Sequence, residues 1–426
     1  MLDIRFIREN PEIVRKDLQK RNDKEKLAWL DDLLKSDVDY RKLLQENQKL
    51  RQRRNEITEE INVLRKQGKD FKEKVQEAKE LPEKVKQSDE QLEKLKTKVE
   101  YYMMRLPNIL HDSVPTGKDS EDNKVVKTHG EKPKFDFELK SHGELLQELG
   151  LANFEKAAEV SGHGFYYLIG DIARLELALT NFAIDLLSEK DYTMIQPPLM
   201  MRRKPYEGVT DLKDFETMMY KIEGEDLMLI ATSEHPIAAM LMNEVVDPEK
   251  LPLKFAGCSP CFRKELGSHS IDTKGIFRVH HFNKIEQFIF CKPEDSWKFH
   301  EELLANAEEI FQKLEIPYRV VNVCTGDIGI VAAKKYDIEA WFPRENLYRE
   351  VVSCSNCTAY QATRLNVKYR KDNEKEYVHT LNSTAIATSR ALRAIIENHQ
   401  QKDGTIKVPK VLQKYLGKKV IGKREK

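Results

Sequence analysis

Apolar residues recur at every seventh position twice in the first hundred residues. Leu43, Leu50, Ile57 and Leu64 form one run, and Val85, Leu92, Val99 and Leu106 form the other. Between them lies Lys66-Gln67-Gly68-Lys69-Asp70, a short polar turn with one glycine. Two heptad stretches joined this way predict an antiparallel coiled-coil hairpin, each helix burying the seam that the other supplies. Asn47, Arg54 and Ser88 fall at other seam positions, so modest pairing strength is expected. Pro82 lacks an amide donor and is expected to kink or restart the second helix. Beyond the hairpin the periodicity changes. Residues 171–179 carry apolar groups at helical spacing, and residues 191–199 read as a strand closing on Pro197-Pro198, which belongs at a sheet edge or an interface. Phe262-Arg263-Lys264-Glu265 reads as a strand, followed by a glycine-bearing loop (Gly267, Gly275) and a second strand over 277–286 that ends in Glu286. A last strand, through Leu381-Asn382-Ser383-Thr384, hands over by Arg390 to a helix over 391–398. The boundaries predict a helical N-terminal domain over 1–110, a polar linker over 111–134, and a second domain over 135–426.

Composition narrows the class. Charged residues make up 34% of the 426 and the net charge is +1, so any affinity for nucleic acid must come from local patches. No apolar run approaches the roughly 18 residues that span a bilayer, and the first ten residues lack the apolar core of a signal peptide, which predicts a cytoplasmic chain. One local patch stands out. Residues 41–72 hold ten basic and five acidic side chains, and Arg51, Arg54 and Arg65 could reach phosphates from an exposed helix face. A plain spacer or dimerisation hairpin is the alternative. Cys258-Ser-Pro-Cys261 and Cys354-Ser-Asn-Cys357 look like zinc half-sites, but 93 residues separate them and each lies inside a segment with other chemistry. No zinc is expected, and Cys291 and Cys324 are expected as small buried hydrophobes.

Two arginines, Arg263 and Arg390, stand at strand ends more than a hundred residues apart. Guanidinium forks stay charged and match phosphate oxygens bidentately. Neither a Gly-x-x-x-x-Gly-Lys-Ser/Thr loop nor a strand–Gly-x-Gly-x-x-Gly–helix unit is present, so a nucleotide site would work through side chains.

These segments resemble motifs 2 and 3 of the class II aminoacyl-tRNA synthetases, and within that class the seryl-tRNA synthetase family in its common, not methanogen-type, form. Asp191-Tyr192-Thr193-Met194-Ile195-Gln196-Pro197-Pro198-Leu199 resembles motif 1, and Thr232-Ser233-Glu234 and Glu350-Val351-Val352-Ser353-Cys354-Ser355-Asn356-Cys357 also match. The likeness covers essentially the whole chain. It implies an α+β protein: an antiparallel coiled-coil arm, then a catalytic domain with a mixed, mainly antiparallel sheet flanked by helices. The implied activity joins serine and ATP into seryl-adenylate and passes serine to tRNA-Ser, and in the family often to tRNA-Sec. Motif 1 would form a homodimer contact and the arm would grip the tRNA.

The resemblance also implies roles. Arg263 would hold the α-phosphate beside the amino-acid carboxylate and Arg390 the γ-phosphate. Glu265 would accept from the adenine amino group and Phe282 stack on its ring, with Lys264, Arg278, Val279, Val351 and Val352 completing the ATP site. Glu350 and Ser353 would hold Mg2+ against the phosphates, as hard oxygen ligands do. Serine would be met by Thr232, Ser233, Glu234, Arg263, Glu286, Asn382 and Thr384. A plain salt bridge from Glu286 to Lys284 or Arg278 stays open as the alternative. Where motif 3 commonly carries glycines this chain has Ser383, Ala385 and Ser389, and His269 and Ser270 stand in the motif 2 loop. A non-catalytic paralogue would have lost some of Arg263, Glu265, Glu286, Glu350 and Arg390, yet all five are present.

Overall fold

The structure, a computed structural model, describes residues 1–211, 216–265 and 274–423. Two compact units divide it, Met1–Pro107 and Asn108–Lys426.

The first unit is all helix. Helices α1 (Ile4–Glu9) and α2 (Pro11–Lys20) precede α3 (Lys24–Lys66) and α4 (Lys72–Met103). At about 1.5 Å per residue the 43 residues of α3 extend for roughly 65 Å. The heptad hairpin is there, with Ile57 and Val85 buried in the seam. Leu106, the last of the heptad positions, falls past the end of α4. Pro82 sits inside α4, which continues through it rather than restarting. The polar seam positions are not simply weak spots. Asn47 donates to Ser88 Oγ at 3.0 Å and to Asp89 Oδ1 at 2.8 Å, and both Asn47 and Ser88 are buried. A buried donor with a specific partner penalises every other register, because a shifted pairing would leave it unsatisfied.

The second unit is built on one eight-stranded sheet. Its strands are β1 (Lys124–His129), β2 (Thr193–Ile195), β3 (Leu253–Phe262), β4 (His281–Cys291), β5 (Tyr318–Asn322), β6 (Lys334–Phe342), β7 (Leu347–Asn356) and β8 (His379–Ala387). They lie in the order β1-β5-β6-β7-β8-β4-β3-β2, antiparallel throughout except for β2 beside β3. Helices α5 (His142–Glu148), α6 (Asp171–Ser188), α7 (Glu234–Ala239), α8 (Ser296–Lys313) and α9 (Thr388–Asn398) complete the parts used below. Alternation along β4 sorts its side chains. Ile285, Ile289 and Cys291 join Leu175 and Phe182 of α6, Leu303 and Phe311 of α8 and Ile395 of α9 in the main core. Lys284 and Glu286 point to the opposite face.

Three expectations change here. The stretch 111–134 is not a free linker: it supplies β1, an edge strand whose six residues are all exposed and so leave no apolar alternation to read. The motif 2 return strand starts at His281, not 277, and runs to Cys291, which places Glu286 at mid-strand rather than at the end. The motif 1 strand is only Thr193–Ile195, at the sheet edge where its prolines predict it.

Candidate active site

Two β-bulges decide which side chains share the face away from the core. Along β6 and β7, Asp337 pairs with Ser353 and Ile338 with Val352, but Glu339 then pairs with Glu350, so Val351 is the extra residue. Strict alternation would send Glu350 and Ser353, three positions apart, to opposite faces. The bulge returns them to one face. Val351 and Val352 turn instead into the core, 2% and 1% exposed, so only their backbone is available to a nucleotide. A second bulge, at Ala385 in β8, leaves Thr384 paired directly with Glu286.

Of the predicted serine residues, Glu234, Glu286, Asn382 and Thr384 meet on this face. Glu286 and Lys284 form a buried ion pair at 2.5 Å, and Thr384 donates its hydroxyl to Glu286 at 3.3 Å. The salt bridge is therefore present together with the Thr384 contact. Glu234, in the first turn of α7, accepts from Gln361 at 2.9 Å and from Asn382 at 3.1 Å. Burial, then the charge of Glu286, pushes its carboxyl up to about 7, against the pull of Lys284, Gln361 and Arg263. Thr232 Oγ1 accepts the Glu234 amide at 3.2 Å and fixes the turn into α7. Ser233 is turned away: fully buried, it donates to the carbonyl of Gly257 on β3 at 3.3 Å. Gly257 makes that approach possible, since a Cβ there would lie 2.6 Å from Ser233 Oγ and 2.5 Å from Ile237. Behind α7, burial holds His235 down at about 3, and its ring meets the Tyr206 hydroxyl at 3.0 Å. A pocket of about 220 Å³ opens beside Glu234, Asn382, Ser353, Ser355 and Cys357.

The predicted ATP residues form a second group. Arg263 follows β3 directly, with its amide bonded to the His280 carbonyl at 2.9 Å and its Nε to the Ala231 carbonyl at 3.3 Å. Its guanidinium lies 5.4 Å from the centre of the Phe282 ring. Lys264 hangs its backbone on Met218 at 2.8 Å and places its ammonium 5.7 Å from the Tyr220 ring. Arg278 pairs with Glu265 at 3.2 Å, while Val279 packs with Cys261, Phe282 and Ala387. Arg390, in the first turn of α9, donates to the Glu350 carbonyl at 3.0 Å and to its carboxylate at 3.3 Å. Desolvation pushes the Glu350 carboxyl up, but Arg390, Lys335 and Arg263 outweigh it and hold the group below the usual range. The motif 2 loop positions Gly267, His269 and Ser270 lie outside the described residues.

A divalent cation fits the donors present. Glu350 is half exposed and shares its face with Ser353, and across from Ser353 the buried Asp337 keeps Oδ1 without a partner. These are hard oxygens suited to such an ion. The cysteines are arranged otherwise. On β3 Cys258 lies opposite Ile285 and Cys261 opposite Phe282, three positions apart and so on opposite faces. Cys354 enters the core and Cys357 borders the pocket. Among the described residues no group of three or more His, Cys, Asp or Glu is arranged to hold a metal.

Lys284 and Gln361 were not singled out as site residues, although they hold Glu286 and Glu234. Lys284 carried a readable signal, since two positions from Glu286 on a strand means the same face. Gln361 carried none, because it arrives from a separate helix, Tyr360–Leu365.

Comparison with known proteins agrees with this geometry. Residues 1–110 match the family described as the seryl-tRNA synthetase N-terminal domain, and residues 216–399 the tRNA synthetase class II core domain (G, H, P, S and T). A serine–tRNA ligase of Methanocella arvoryzae is 62% identical over 419 residues, covering 98% of this chain and 99% of that protein. The crystal structure of seryl-tRNA synthetase from Pyrococcus horikoshii complexed with ATP superposes with a TM-score of 0.93 at 51% identity, over 100% of both chains. The cytoplasmic serine–tRNA ligase of Naegleria fowleri in complex with AMP gives 0.87 at 36%, over 100% and 99%. With the polar sheet face, both arginines and the coiled-coil hairpin in place, the chain belongs to the seryl-tRNA synthetase family.

Proposed function

We propose that this chain is an active serine–tRNA ligase and that the polar sheet face is where seryl-adenylate is made. One observation carries the reading: Arg263 binds the Ala231 carbonyl through Nε at 3.3 Å, next to the Thr232–Glu234 turn, while its guanidinium lies 5.4 Å from the centre of the Phe282 ring, so one cation borders both groups. A cation between an ammonium-and-hydroxyl site and a phosphate site stands where the serine carboxylate must meet the α-phosphorus. The carboxylate oxygen forms the new P–O bond, the bond from the α-phosphorus to the bridging oxygen breaks, and pyrophosphate leaves. No protein nucleophile is needed, since positioning and charge stabilisation suffice.

In this reading Glu234 and Glu286 receive the serine ammonium and hydroxyl, with Thr384 closing the side-chain pocket and Thr232 and Asn382 holding the carboxylates in place. Glu265 turns from Arg278 toward the adenine amino group, Phe282 stacks under the ring, and Lys264, Arg278 and Val279 shape its edge. Arg390 takes the outer phosphates and releases Glu350. Mg2+ bound by Glu350 and Ser353 would neutralise phosphate charge; no zinc has a role. A terminal ribose hydroxyl of tRNA then attacks the seryl carbonyl and AMP departs. The arm supplies the tRNA grip, through Arg54 and Arg65 more than Arg51. Exposed apolar side chains along α6 and β2 (Leu177, 64% exposed, and Met194, 41%) favour a second copy pairing there. Serine-dependent exchange of pyrophosphate into ATP, with alanine and threonine as controls, tests the proposal: serine alone should drive it. Exchange with alanine at a comparable rate, or none with serine, would defeat it.

A further inference from the structure

His142 lies outside every segment assigned to the reaction, yet it is buried between two of them. It is the first residue of α5, whose start is set by a capping box between Ser141 and Glu144. Its Nε2 meets the backbone N–H of Ile276 at 3.2 Å, and its Nδ1 meets Glu397 Oε1 of α9 at 3.1 Å. An amide can only donate, so Nε2 is the acceptor and the ring proton sits on Nδ1, directed at the carboxylate. The neighbouring residue shows how tightly the elements are pressed together. A Cβ on Gly143 would come 2.0 Å from the Lys274 carbonyl oxygen, so only glycine lets α5 approach the return of the motif 2 loop.

From Glu397 the contacts continue and close on themselves. The same Oε1 accepts from Arg393 Nε at 2.8 Å. The Arg393 guanidinium lies 4.8 Å from the centre of the Phe277 ring, and that of Arg390, one turn earlier on α9, lies 5.2 Å from it. Phe277 follows Ile276 in the chain, and Arg278, the partner of Glu265, follows Phe277. The ring therefore runs Ile276, His142, Glu397, Arg393, Phe277. It sets the backbone that presents Arg278, the partner of Glu265, and the stacked platform on which Arg390 rests.

We propose that His142 is a positioning residue for ATP: by tying the return of the motif 2 loop to α9, it fixes the spacing between Arg278–Glu265 at one end of the nucleotide and Arg390 at the other. This rests on the ATP site proposed above. Serine, held by Glu234, Glu286 and Thr384, makes no use of the ring, so the effect should separate the two substrates.

Exchange kinetics and amide hydrogen exchange on the full chain test it. In H142A the KM for ATP should rise roughly five- to tenfold, the loss of one or two hydrogen bonds, with the KM for serine unchanged within about twofold. Amides at 276–278 should exchange faster while those of Thr193–Ile195 keep their protection. H142Q, which carries one donor and one acceptor, should recover most of both losses. If H142A does not fold, H142N takes its place, since it keeps a donor toward Glu397 and is too short to reach the Ile276 amide. An unchanged KM for ATP, a parallel rise for serine, or unaltered protection at 276–278 would overturn the assignment. A wild-type chain inactive in exchange would defeat the ATP reading instead, and the hydrogen-exchange comparison would still decide whether His142 holds the ring.

Discussion

The arm and the catalytic unit spend their polar residues in opposite ways. In the arm, polar groups at the seam pair with each other: Asn47 with Ser88 and Asp89, and Arg51, through one guanidinium nitrogen, with both oxygens of Asp89 at 2.7 and 2.8 Å. Arg53 is likewise committed to Glu60 and Glu77. What the pairs between the helices secure is register. On the sheet face, Glu286, Glu234 and Glu350 are each held by cations or amides that a ligand can replace or join. Burial keeps Glu234 close to neutrality, so its charge is available only at a cost that a bound ammonium offsets. Pairs closed among themselves make a scaffold, while carboxylates held by partners that a ligand can replace make a site.

The sharpest way to break this comparison is to remove a site charge. Glu286→Gln should lower serine-dependent pyrophosphate exchange on the order of a thousandfold, with a smaller drop in melting temperature than the alanine variant because the amide oxygen can still accept from Lys284. Glu286→Ala should abolish exchange too, but it leaves Lys284 buried and unpaired, at about 3–5 kcal/mol, so a lower melting temperature is expected as well. Wild-type exchange in the glutamine variant would remove Glu286 from the substrate's contacts.

Deleting residues 35–100 across a short linker should leave exchange near normal and cut tRNA charging by at least roughly a hundredfold, because the phosphate contacts are lost. A truncated enzyme that charges with unchanged KM for tRNA would reduce the arm to a spacer.

The pH response of serine binding should follow Glu234. Its carboxyl holds its proton below about 7, where the serine ammonium has no carboxylate to meet. The KM for serine should therefore fall as pH rises from 6 through 7 and level off above, by about tenfold in all. Glu234→Gln should keep a raised KM at every pH, and a wild-type profile flat between 6 and 8.5 would contradict the assignment.

The smallest effect lies on the arm's surface. Arg54→Ala and Arg65→Ala, both exposed, should each weaken tRNA binding roughly uniformly across tRNA sequences and reduce the salt dependence by about one phosphate contact. Arg51→Ala should chiefly loosen the seam, measured as a lower melting temperature of the arm. Equal losses of tRNA affinity for all three would erase the distinction.

How much of this was readable differs between the units for one physical reason. A coiled coil is a one-dimensional code: spacing along the chain says which residues meet, and the Leu43–Leu64 and Val85–Val99 runs gave the hairpin outright. Even there, that Arg51 would be taken by Asp89 depended on the register of a second helix. On the sheet, chain order gave the motifs and the identities of Arg263, Glu286, Glu350 and Arg390, but parity along a strand misplaces side chains wherever a bulge intervenes. Val351 and Ala385 each add one residue, and each decides which neighbours share the site. An exposed edge strand such as β1 has no apolar pattern at all.

By itself the sequence determined the hairpin, the family and the charges that the chemistry requires, because each follows from local spacing or residue identity. Tertiary structure alone decided that Glu350 and Ser353 share a face, that Ser233 turns inward over Gly257, that Gln361 meets Glu234, and that His142 lies between Ile276 and Glu397. Those relations join residues up to 255 positions apart, and no short-range pattern encodes a contact that only packing creates.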